Sequence, residues 1–563
     1  MTDNVKNKIA GTGGQSHRRL WEFVFVAVLV LYPLRHIAWG LDLWDTGYGY
    51  ANFEYMGTRH MDPMWLFSTY LTTAIGHFLS LLPGAKTLIG MNFYTGLSIS
   101  LLAVLGYYFC TKVLKIPAGL AFFGEFTAVS FCWCPTGSFY NYVTYVFFLI
   151  SVICLYLGLS RGKGGLLFAA GMALGCNVLA RFSNLPEAAM IVGVWAYGII
   201  CWLEERKGIA QDCDDIAGNA ETEDKKARKK AAGRRLRKKL LQDTGVCLAG
   251  YLTALLVLFG YIQIRYGMDA YVRGIQRLFS MTEVATDYTA ASMILGMFDW
   301  YFQNLYWEIR MCVFLVVGMI AVGLLEFAAA CVRDSFAGKD TIKKVLRILE
   351  WAVSALLAVI MVFWLYRQGF CATEYTHYGA IIWPGVTFLT LTLLVTLWRI
   401  FTPSAPKEEK LVSGLIFLIV LITSLGSNNK LYPSMNNLFL ALPYMNWQFY
   451  RFCKYAGSFR WKRVTLSAAP AKCIFGGFFL LFFIQVGLFG RSFVFVEGTG
   501  VQELSAQVTN NKTLQNVWMS EERAGWMQEI SEYVNTGGLA GKDVLLYGQI
   551  PALSYYLQMP AAF

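Results

Sequence analysis

The sequence predicts an all-α polytopic membrane protein with about 13 transmembrane helices and a small α+β region at the carboxyl end. Three observations lead to this fold class. The 563 residues are 56% hydrophobic and only 15% charged, whereas soluble proteins have roughly 25% charged residues. Many separate apolar runs approach or exceed the roughly 18 residues typical of a membrane helix. Lys and Arg fall in short clusters between these runs, as in cytoplasmic loops of membrane proteins.

The same composition argues against other classes of protein. The net charge of +12 does not indicate a nucleic-acid partner, because no basic stripe with base-stacking aromatic residues occurs outside the apolar runs. Most of the 13 cysteines lie inside apolar runs, where cysteine behaves as a small hydrophobic residue. Cys132 and Cys134 have no second pair of ligands nearby, which a structural zinc site normally needs.

Basic residues orient the first half of the chain. Residues 1–20 carry four basic side chains and are predicted to be a cytoplasmic N-terminal segment, so a first span at about 21–39 leads to the outer face. Further spans are predicted near 88–110, 118–134, 139–159, 165–182 and 186–203. They end at a loop, 204–243, whose dense Lys/Arg cluster places it in the cytoplasm.

Residues 64–82, MWLFSTYLTTAIGHFLSLL, are also apolar. Counting them as a span would move Lys112, Lys115 and the basic loop to the outer face, against the positive-inside rule. We therefore predict an interfacial helix at 64–82 within a long outer loop, residues 40–87, which we call the first loop.

The second half alternates in the same way, with an outer loop at 265–305. Its predicted spans lie near 244–264, 306–330, 347–366, 378–399, 411–425, 437–450 and 472–490. The transmembrane module then covers 21–490. Residues 491–563, which we call the C-terminal region, are polar, with a helix expected at 521–534 and a strand at 544–548, so a soluble α+β unit is predicted on the outer face. After residue 558 the sequence shows no further predicted helix or strand that would complete this unit before Phe563, which leaves open whether the sequence is complete.

The first loop opens with GLDLWDTGYGYANFEYMG, residues 40–57, where Asp42 and Asp45 are the candidate catalytic acids. On a helical turn, two residues three apart share one face. The surrounding tryptophan and tyrosine residues can desolvate a carboxylate and raise its basicity. The simpler alternative is that both acids only solvate the membrane exit.

In its layout the chain resembles the GT-C class of membrane glycosyltransferases, such as the bacterial protein O-mannosyltransferases and lipid A aminoarabinose transferases. The shared features are a first span, an outer loop that begins with an acidic motif among aromatic residues, about a dozen further spans and an outer soluble end. Asp45 takes the family's aspartate, and Thr46 stands where relatives carry glutamate. The segment LLYGQIPALSYYLQ, residues 545–558, is similar to the end of many bacterial members.

This resemblance implies transfer of a sugar from a polyprenyl-phosphate donor in the lipid bilayer to a hydroxyl or amine at the outer face of the cell membrane. Asp45 is expected to be the general base, with Asp42 or Glu54 as the second acid. The acceptor, whether a protein, a lipid or a cell-wall glycan, stays open. A divalent metal also stays open, because some relatives use one and others do not.

The leaving phosphate needs positive charge or hydrogen-bond donors on the same face. The predicted outer-face candidates are Arg59, His60, Arg265, Arg273, Arg277, Arg367, His377 and Lys430. His377 and Tyr378 fit an aromatic belt equally well. Asn428, Asn429 and Lys430 are either turn residues or ligands of the sugar and phosphate.

Arg181, with Asn184 close behind it in LARFSNLPE, is either a snorkelling anchor or a substrate ligand. Asn141 is a weaker candidate in the aromatic stretch FYNYVTY.

Two other functions are open. A transporter or flippase of lipid-linked sugars would carry ionisable residues deep inside several spans, whereas the predicted spans are largely uncharged at mid-depth. A polysaccharide polymerase or ligase would use arginine and histidine in a late outer loop, which residues 367–377 offer only weakly. Nucleotide-binding motifs, including the Walker loop, are missing from the sequence, which argues against ATP-driven transport.

Overall fold

A computed structural model describes residues 19–132, 139–214, 221–284, 289–333, 339–461, 464–495, 497–548 and 550–562. The first ten helices are α1 (residues 19–31), α2 (Asp45–Glu54), α3 (Pro63–Ser68), α4 (Tyr70–Ser80), α5 (Leu88–Tyr108), α6 (Ala118–Phe131), α7 (Phe139–Arg161), α8 (Gly164–Ala180), α9 (Ile191–Asp214) and α10 (Glu221–Tyr266). The remaining elements are α11 (Met268–Val284), α12 (Ala290–Arg333), α13 (Lys339–Arg367), α14 (Ile382–Phe401), α15 (Lys407–Ile422), α16 (Tyr432–Asn436), α17 (Ala441–Tyr455), β1 (Ser458–Trp461), β2 (Val464–Ser467), α18 (Ala469–Ser492), α19 (Glu521–Thr536) and α20 (Leu553–Tyr556).

The all-α multi-pass architecture is confirmed, but the number of 13 spans is not. Within the described ranges, eight helical stretches are long and apolar enough to cross a membrane, and α6 and α8 are apolar but shorter. Every predicted span overlaps a described helix. However, α6, α15 and α17 contain 14, 16 and 15 residues, and a hydrocarbon core about 30 Å thick needs about 20 helical residues.

Two predicted loops are largely helical. Helix α10 is 46 residues long, about 69 Å at 1.5 Å per residue, and it joins the basic segment to the predicted span at 244–264. The predicted outer loop at 265–305 forms α11 and the beginning of α12, which is 44 residues long. A hydrophobicity profile detects only the membrane-depth part of such helices, so their polar extensions were predicted as loops.

Small residues bring α8 and α10 into close contact. A Cβ on Gly171 would lie 1.9 Å from the carbonyl oxygen of Cys247, and a Cβ on Gly250 would lie 2.0 Å from that of Phe168. Glycine is needed at both positions because the two backbones touch, as is typical of packed membrane helices. This contact fixes the end of α8, where Arg181 follows.

The segment at 64–82 folds back over the first loop. It forms α3 and α4, of 6 and 11 residues, and both helices are too short to cross a bilayer. The ring of Phe53 in α2 fills the space where a Cβ of Gly76 would lie. Thr72 Oγ1 donates a hydrogen bond of 2.9 Å to the carbonyl oxygen of Ala180. Helix α4 therefore links α2 to the end of α8.

The C-terminal region packs directly on the first loop. Trp518 pairs with the chain at Trp39, and the Gly40 amide donates to the Trp518 carbonyl oxygen at 2.8 Å. One hydrophobic cluster contains residues of both parts, including Tyr50, Phe53, Met527 and Tyr555. The two parts therefore share one core around the acidic motif.

Helix α19 confirms the helix predicted at 521–534. At 544–548, the structure has a single bridge between Val544 and Ala561 in place of the predicted strand. Leu545 and Tyr547 are 82% and 95% exposed, and beyond this bridge no pairing of the segment occurs within the described ranges. The antiparallel hairpin of β1 and β2 lies between α17 and α18.

Candidate functional site

Asp42 closes the turn that begins α2. Its Oδ1 accepts a hydrogen bond from the Trp44 amide at 2.8 Å, and its Oδ2 accepts bonds from the Thr46 amide at 2.8 Å and from Thr46 Oγ1 at 2.7 Å. Burial raises the pKa of Asp42, and these hydrogen bonds oppose the shift. Because both carboxylate oxygens hold donors at the helix start, Asp42 acts as a capping group. The geometry therefore favours a role in positioning α2 over contact with a substrate.

The C-terminal region holds the same turn from the other side. Tyr556 Oη donates a hydrogen bond of 2.5 Å to the Asp42 carbonyl oxygen, and the Ala552 amide donates one of 3.0 Å to the Leu43 carbonyl oxygen. A Cβ on Gly47 would lie 2.7 Å from the Cβ of Ala552, so glycine at position 47 permits this contact. The segment that contains Ala552 and Tyr556 thus packs on the acidic motif.

A buried ion pair reinforces this attachment. Glu497, whose side chain is fully buried, lies 3.0 Å from Arg523 Nη1. Glu497 also accepts hydrogen bonds from the amides of Leu41 at 2.7 Å and Ser520 at 2.9 Å. Arg523 donates in turn to the Leu41 carbonyl oxygen. Glu497 and Arg523 were not predicted from the sequence, because 456 residues separate Glu497 from Leu41 and no local pattern connects them.

We expect Glu497→Gln to destabilise the protein, because the amide removes the charge that compensates Arg523. Loss of one member of a buried ion pair costs about 3–5 kcal/mol. Thermal unfolding followed by tryptophan fluorescence measures the effect, with Trp518 as a nearby reporter. The control is Glu503→Gln, which changes an exposed glutamate of the same region and is expected to leave the midpoint unchanged. Equal midpoints for the two variants would contradict the structural role of Glu497.

Asp45 is the first residue of α2 and differs from Asp42 in its surroundings. Its side chain reaches solvent, yet protein lies on most sides of it. Burial, and then the nearby Asp42 carboxylate, raise the pKa of Asp45 to about 6, while the charge of Arg181 opposes the shift. Among the described residues, the Asp45 carboxylate has no hydrogen-bond or ion-pair partner. It is therefore an accessible carboxylate with a pKa near neutral pH, which suits a general base.

Arg181 lies between α8 and the 3-10 segment Phe182–Met190. Its Nη1 donates a hydrogen bond of 2.8 Å to Asn141 Oδ1, and its guanidinium carbon lies 5.2 Å from the centre of the Tyr140 ring. Within the described part of the chain, Arg181 is the cation whose charge lowers the pKa of Asp45. The structure thus joins Arg181 to Asn141 by a hydrogen bond and places Arg181 within electrostatic range of Asp45, three residues that the sequence singled out separately.

Three other predicted site residues hold the loops in place. Arg59 Nη2 lies 2.9 Å from Asp543 Oδ2, and His60 Nε2 lies 3.6 Å from Asp543 Oδ1. Both therefore attach the first loop to the C-terminal region. Glu54 forms an ion pair of 2.6 Å with Lys86. This pairing engages the carboxylate that was considered as a second acid in place of Thr46.

The loop at 426–430 borders the turn of Arg181. A Cβ on Gly426 would lie 2.5 Å from the carbonyl oxygen of Ser183. Lys430 has a positive φ of 49° and places its Nζ 3.2 Å from Asp299 Oδ2. Its ammonium group also lies 5.4 Å from the centre of the Trp300 ring. Asn428 and Asn429 are half-buried beside it. In the described ranges, these three residues form no hydrogen bond or ion pair with Asp45.

The remaining candidates are dispersed. The guanidinium of Arg265 lies 5.7 Å from the Tyr266 ring centre, and Arg367 is exposed at the end of α13. His377 is exposed, and Tyr378 stacks edge-on against Tyr432 at 4.7 Å. As far as the chain is described, these residues also form no hydrogen bond or ion pair with Asp45.

Asp62 and Arg277 mark the other side of α2. Tyr48 Oη donates a hydrogen bond of 2.5 Å to Asp62 Oδ2, and Asp62 Oδ1 accepts from the Met64 amide at 2.9 Å. The charge of Arg277 acts on Tyr48. The sequence analysis missed Asp62, although an aspartate directly before Pro63 is a recognisable helix start. Across the described residues, no group of three or more His, Cys, Asp or Glu side chains is placed to hold a metal ion, so we assign no metal ligands.

No protein-family model and no curated protein sequence matches the chain. Two solved structures have similar chains. One is the archaeal oligosaccharyltransferase AglB from Archaeoglobus fulgidus in complex with an inhibitory peptide and a dolichol-phosphate, with 11% sequence identity, 97% of this chain and 64% of that chain covered, and a TM-score of 0.38. The other is the Archaeoglobus fulgidus oligosaccharyltransferase in the apo form, with 11% identity, 96% and 64% coverage, and a TM-score of 0.39. This chain thus covers 64% of the length of each.

Proposed function

We propose that the protein is a membrane glycosyltransferase of the GT-C type that uses a polyprenyl-phosphate sugar as donor. The observation that carries the proposal is an accessible carboxylate at the start of α2, Asp45, which has no hydrogen-bond or ion-pair partner among the described residues and lies within electrostatic range of Arg181. The acceptor is a hydroxyl or amine at the outer face of the cytoplasmic membrane. This orientation follows from the distribution of Lys and Arg between the apolar runs.

In the proposed reaction, the acceptor oxygen or nitrogen attacks the anomeric carbon of the sugar. Asp45 accepts the proton that the acceptor loses, so the nucleophile becomes more reactive as the new bond forms. The bond between the anomeric carbon and the phosphate oxygen breaks, and the phosphate leaves with the electron pair. Negative charge therefore grows on the lipid phosphate during the step.

Arg181 is the group that stabilises this charge. A guanidinium has five N–H donors in a planar fork that matches a phosphate. Asn141 accepts a hydrogen bond from Nη1 of Arg181 at 2.8 Å. The guanidinium has no other hydrogen-bond partner among the described residues, so its remaining N–H groups can bind the phosphate. Burial raises the pKa of Asp45, and the charge of Arg181 opposes this rise, so that the pKa is about 6. Most of the carboxylate is therefore ionised at pH 7.

The test is sugar transfer by the purified protein from a radiolabelled polyprenyl-phosphate sugar pool, with membranes as the source of acceptor. We expect kcat/KM to fall as the pH decreases below about 6, because protonated Asp45 cannot accept the acceptor's proton. Tryptophan fluorescence at each pH controls for unfolding. Absence of transfer, or a rate that stays constant down to pH 5 in folded protein, would refute the proposal.

A transporter of lipid-linked sugars is the second candidate function, and Glu125 favours it. This glutamate lies in the middle of α6, is fully buried, and has no hydrogen-bond partner on either carboxylate oxygen among the described residues. An ionisable residue at membrane depth is a functional candidate by itself, and the sequence analysis overlooked it. Movement of labelled lipid-linked sugar between leaflets without any transfer would favour this alternative.

A further inference from the structure

A buried polar network lies beside Arg181, where α8 gives way to the 3-10 segment. Its members are Asn177, Asn184 and Glu187, which are 0%, 6% and 2% exposed. Asn177 Nδ2 donates to Glu187 Oε2, and Asn184 Nδ2 donates to Asn177 Oδ1 at 3.3 Å. Buried polar groups are costly unless they are hydrogen-bonded, so this chain of bonds favours one arrangement of the turn.

The same network holds the backbone of Arg181. The Arg181 amide donates to the Asn177 carbonyl oxygen at 3.0 Å, and the Asn184 amide donates to the Arg181 carbonyl oxygen at 3.0 Å. Arg181 itself is extended, with φ −157° and ψ 113°, because the chain leaves the helix at this residue. Both asparagines thus connect Glu187 to the main chain from which the guanidinium extends.

Arg181 also lies within electrostatic reach of two carboxylates, those of Asp45 and Glu187. It forms no ion pair with either and donates to Asn141 instead. Glu187 is buried, whereas Asp45 reaches solvent. Glu187 is joined through Asn177 and Asn184 to the turn from which Arg181 extends, so it can fix that turn by hydrogen bonds, while Asp45 stays unpaired among the described residues and accessible to an acceptor.

We infer that Glu187 is the second functional acid of this site, a positioning residue that holds Arg181 beside Asp45 and does not contact the substrate. The inference rests on the proposed function. The other two acids considered for this position are occupied, because Asp42 caps α2 and Glu54 pairs with Lys86. Glu187 follows Arg181 by six residues in LARFSNLPE, on the far side of a helix end.

The test is a double-mutant cycle of Glu187→Gln and Arg181→Gln, read as kcat and KM for sugar transfer. We expect Glu187→Gln to lower kcat by about 10–100-fold, with the acceptor KM nearly unchanged, because a misplaced guanidinium stabilises the leaving phosphate less well. In the Arg181→Gln background, Glu187→Gln should cause no further loss, since residues that act as a unit are not additive. A purely structural role would instead lower activity in both backgrounds.

Asn184→Ala provides a second reading if Glu187→Gln does not fold, because it removes only the far end of the network. It should give a smaller loss that also disappears in the Arg181→Gln background. The control is Glu503→Gln, which changes an exposed glutamate outside the network and should transfer sugar like the wild type. Two results would overturn the inference. The folded Glu187→Gln and Asn184→Ala proteins could keep the wild-type kcat, or each substitution could lower kcat by the same factor in the wild-type and Arg181→Gln backgrounds.

The outcomes separate this inference from the proposed function. If the wild type transfers no sugar, or if Asp45→Asn retains transfer, the proposed function fails. If the wild type is active and Asp45→Asn is not, while Glu187→Gln behaves like the wild type, only the role of Glu187 fails.

Discussion

Asp45→Asn is expected to reduce kcat/KM for sugar transfer by about 10²–10⁴-fold, the usual contribution of a general base. The amide has almost the same shape as the carboxylate but cannot take the proton from the acceptor. Since Asp45 has no described hydrogen-bond or ion-pair partner, the exchange removes no internal contact. Burial and the Asp42 charge also disfavour the ionised carboxylate in the fold, so we expect a thermal midpoint no lower than that of the wild type. The decrease below about pH 6 should disappear from the residual activity, because it comes from the Asp45 pKa.

The matched control is Asp543→Asn, which changes an aspartate of the C-terminal region that pairs with Arg59 and His60. It should transfer sugar at nearly the wild-type rate, because surface ion pairs contribute only about 0–1 kcal/mol. A folded Asp45→Asn protein with wild-type turnover would exclude Asp45 as the base.

Arg181→Gln is expected to reduce kcat by about 10²–10³-fold, as for removal of one preorganised donor to a developing negative charge. Glutamine can still donate to Asn141 but has no charge for the leaving phosphate. Arg181→Lys should retain part of the activity, because lysine keeps the charge but loses the planar fork. Steady-state kinetics over a range of donor concentrations distinguish loss of kcat from loss of donor binding.

The pH profile adds an independent check on the same variant. Arg181 lowers the pKa of Asp45, so its removal should raise that pKa and move the acidic limb of the residual activity to higher pH. Arg59→Gln is the control, because Arg59 is exposed and pairs with Asp543. Arg59→Gln should change neither kcat nor the pH at which activity decreases on the acidic side. An unshifted limb in Arg181→Gln would show that the two side chains do not interact during turnover.

Much of the fold follows from local sequence patterns. Apolar runs predicted every described membrane helix, because about 20 consecutive apolar residues have few alternatives to a helix in a bilayer. The same patterns failed for the polar ends of α10 and α12, which continue the helix beyond the bilayer. They also failed at 544–548, where the apolar segment forms only the single bridge between Val544 and Ala561. A strand depends on its partner, and local sequence does not provide one.

The candidate site was predictable only in part. Asp45, Arg181 and Asn141 stood out because charged or amide groups are rare among aromatic residues at the ends of apolar runs. Their mutual proximity was not predictable, since 40 residues separate Asn141 from Arg181. The catalytic roles of Asp45 and Arg181 stay predictions for the variants above.

Asp42 and Asp45, at the start of the first loop, differ in what the sequence and the tertiary structure determine about them. The sequence by itself determined that Asp42 and Asp45 lie at the exit of the first apolar run among aromatic residues, because composition and spacing are local properties. Only the tertiary structure decided which of them is available. Asp42 is occupied by Thr46 and held by Tyr556, which lies 514 residues away, whereas Asp45 is left open beside Arg181. Side-chain availability depends on contacts between distant segments, and those exist only once the chain has packed.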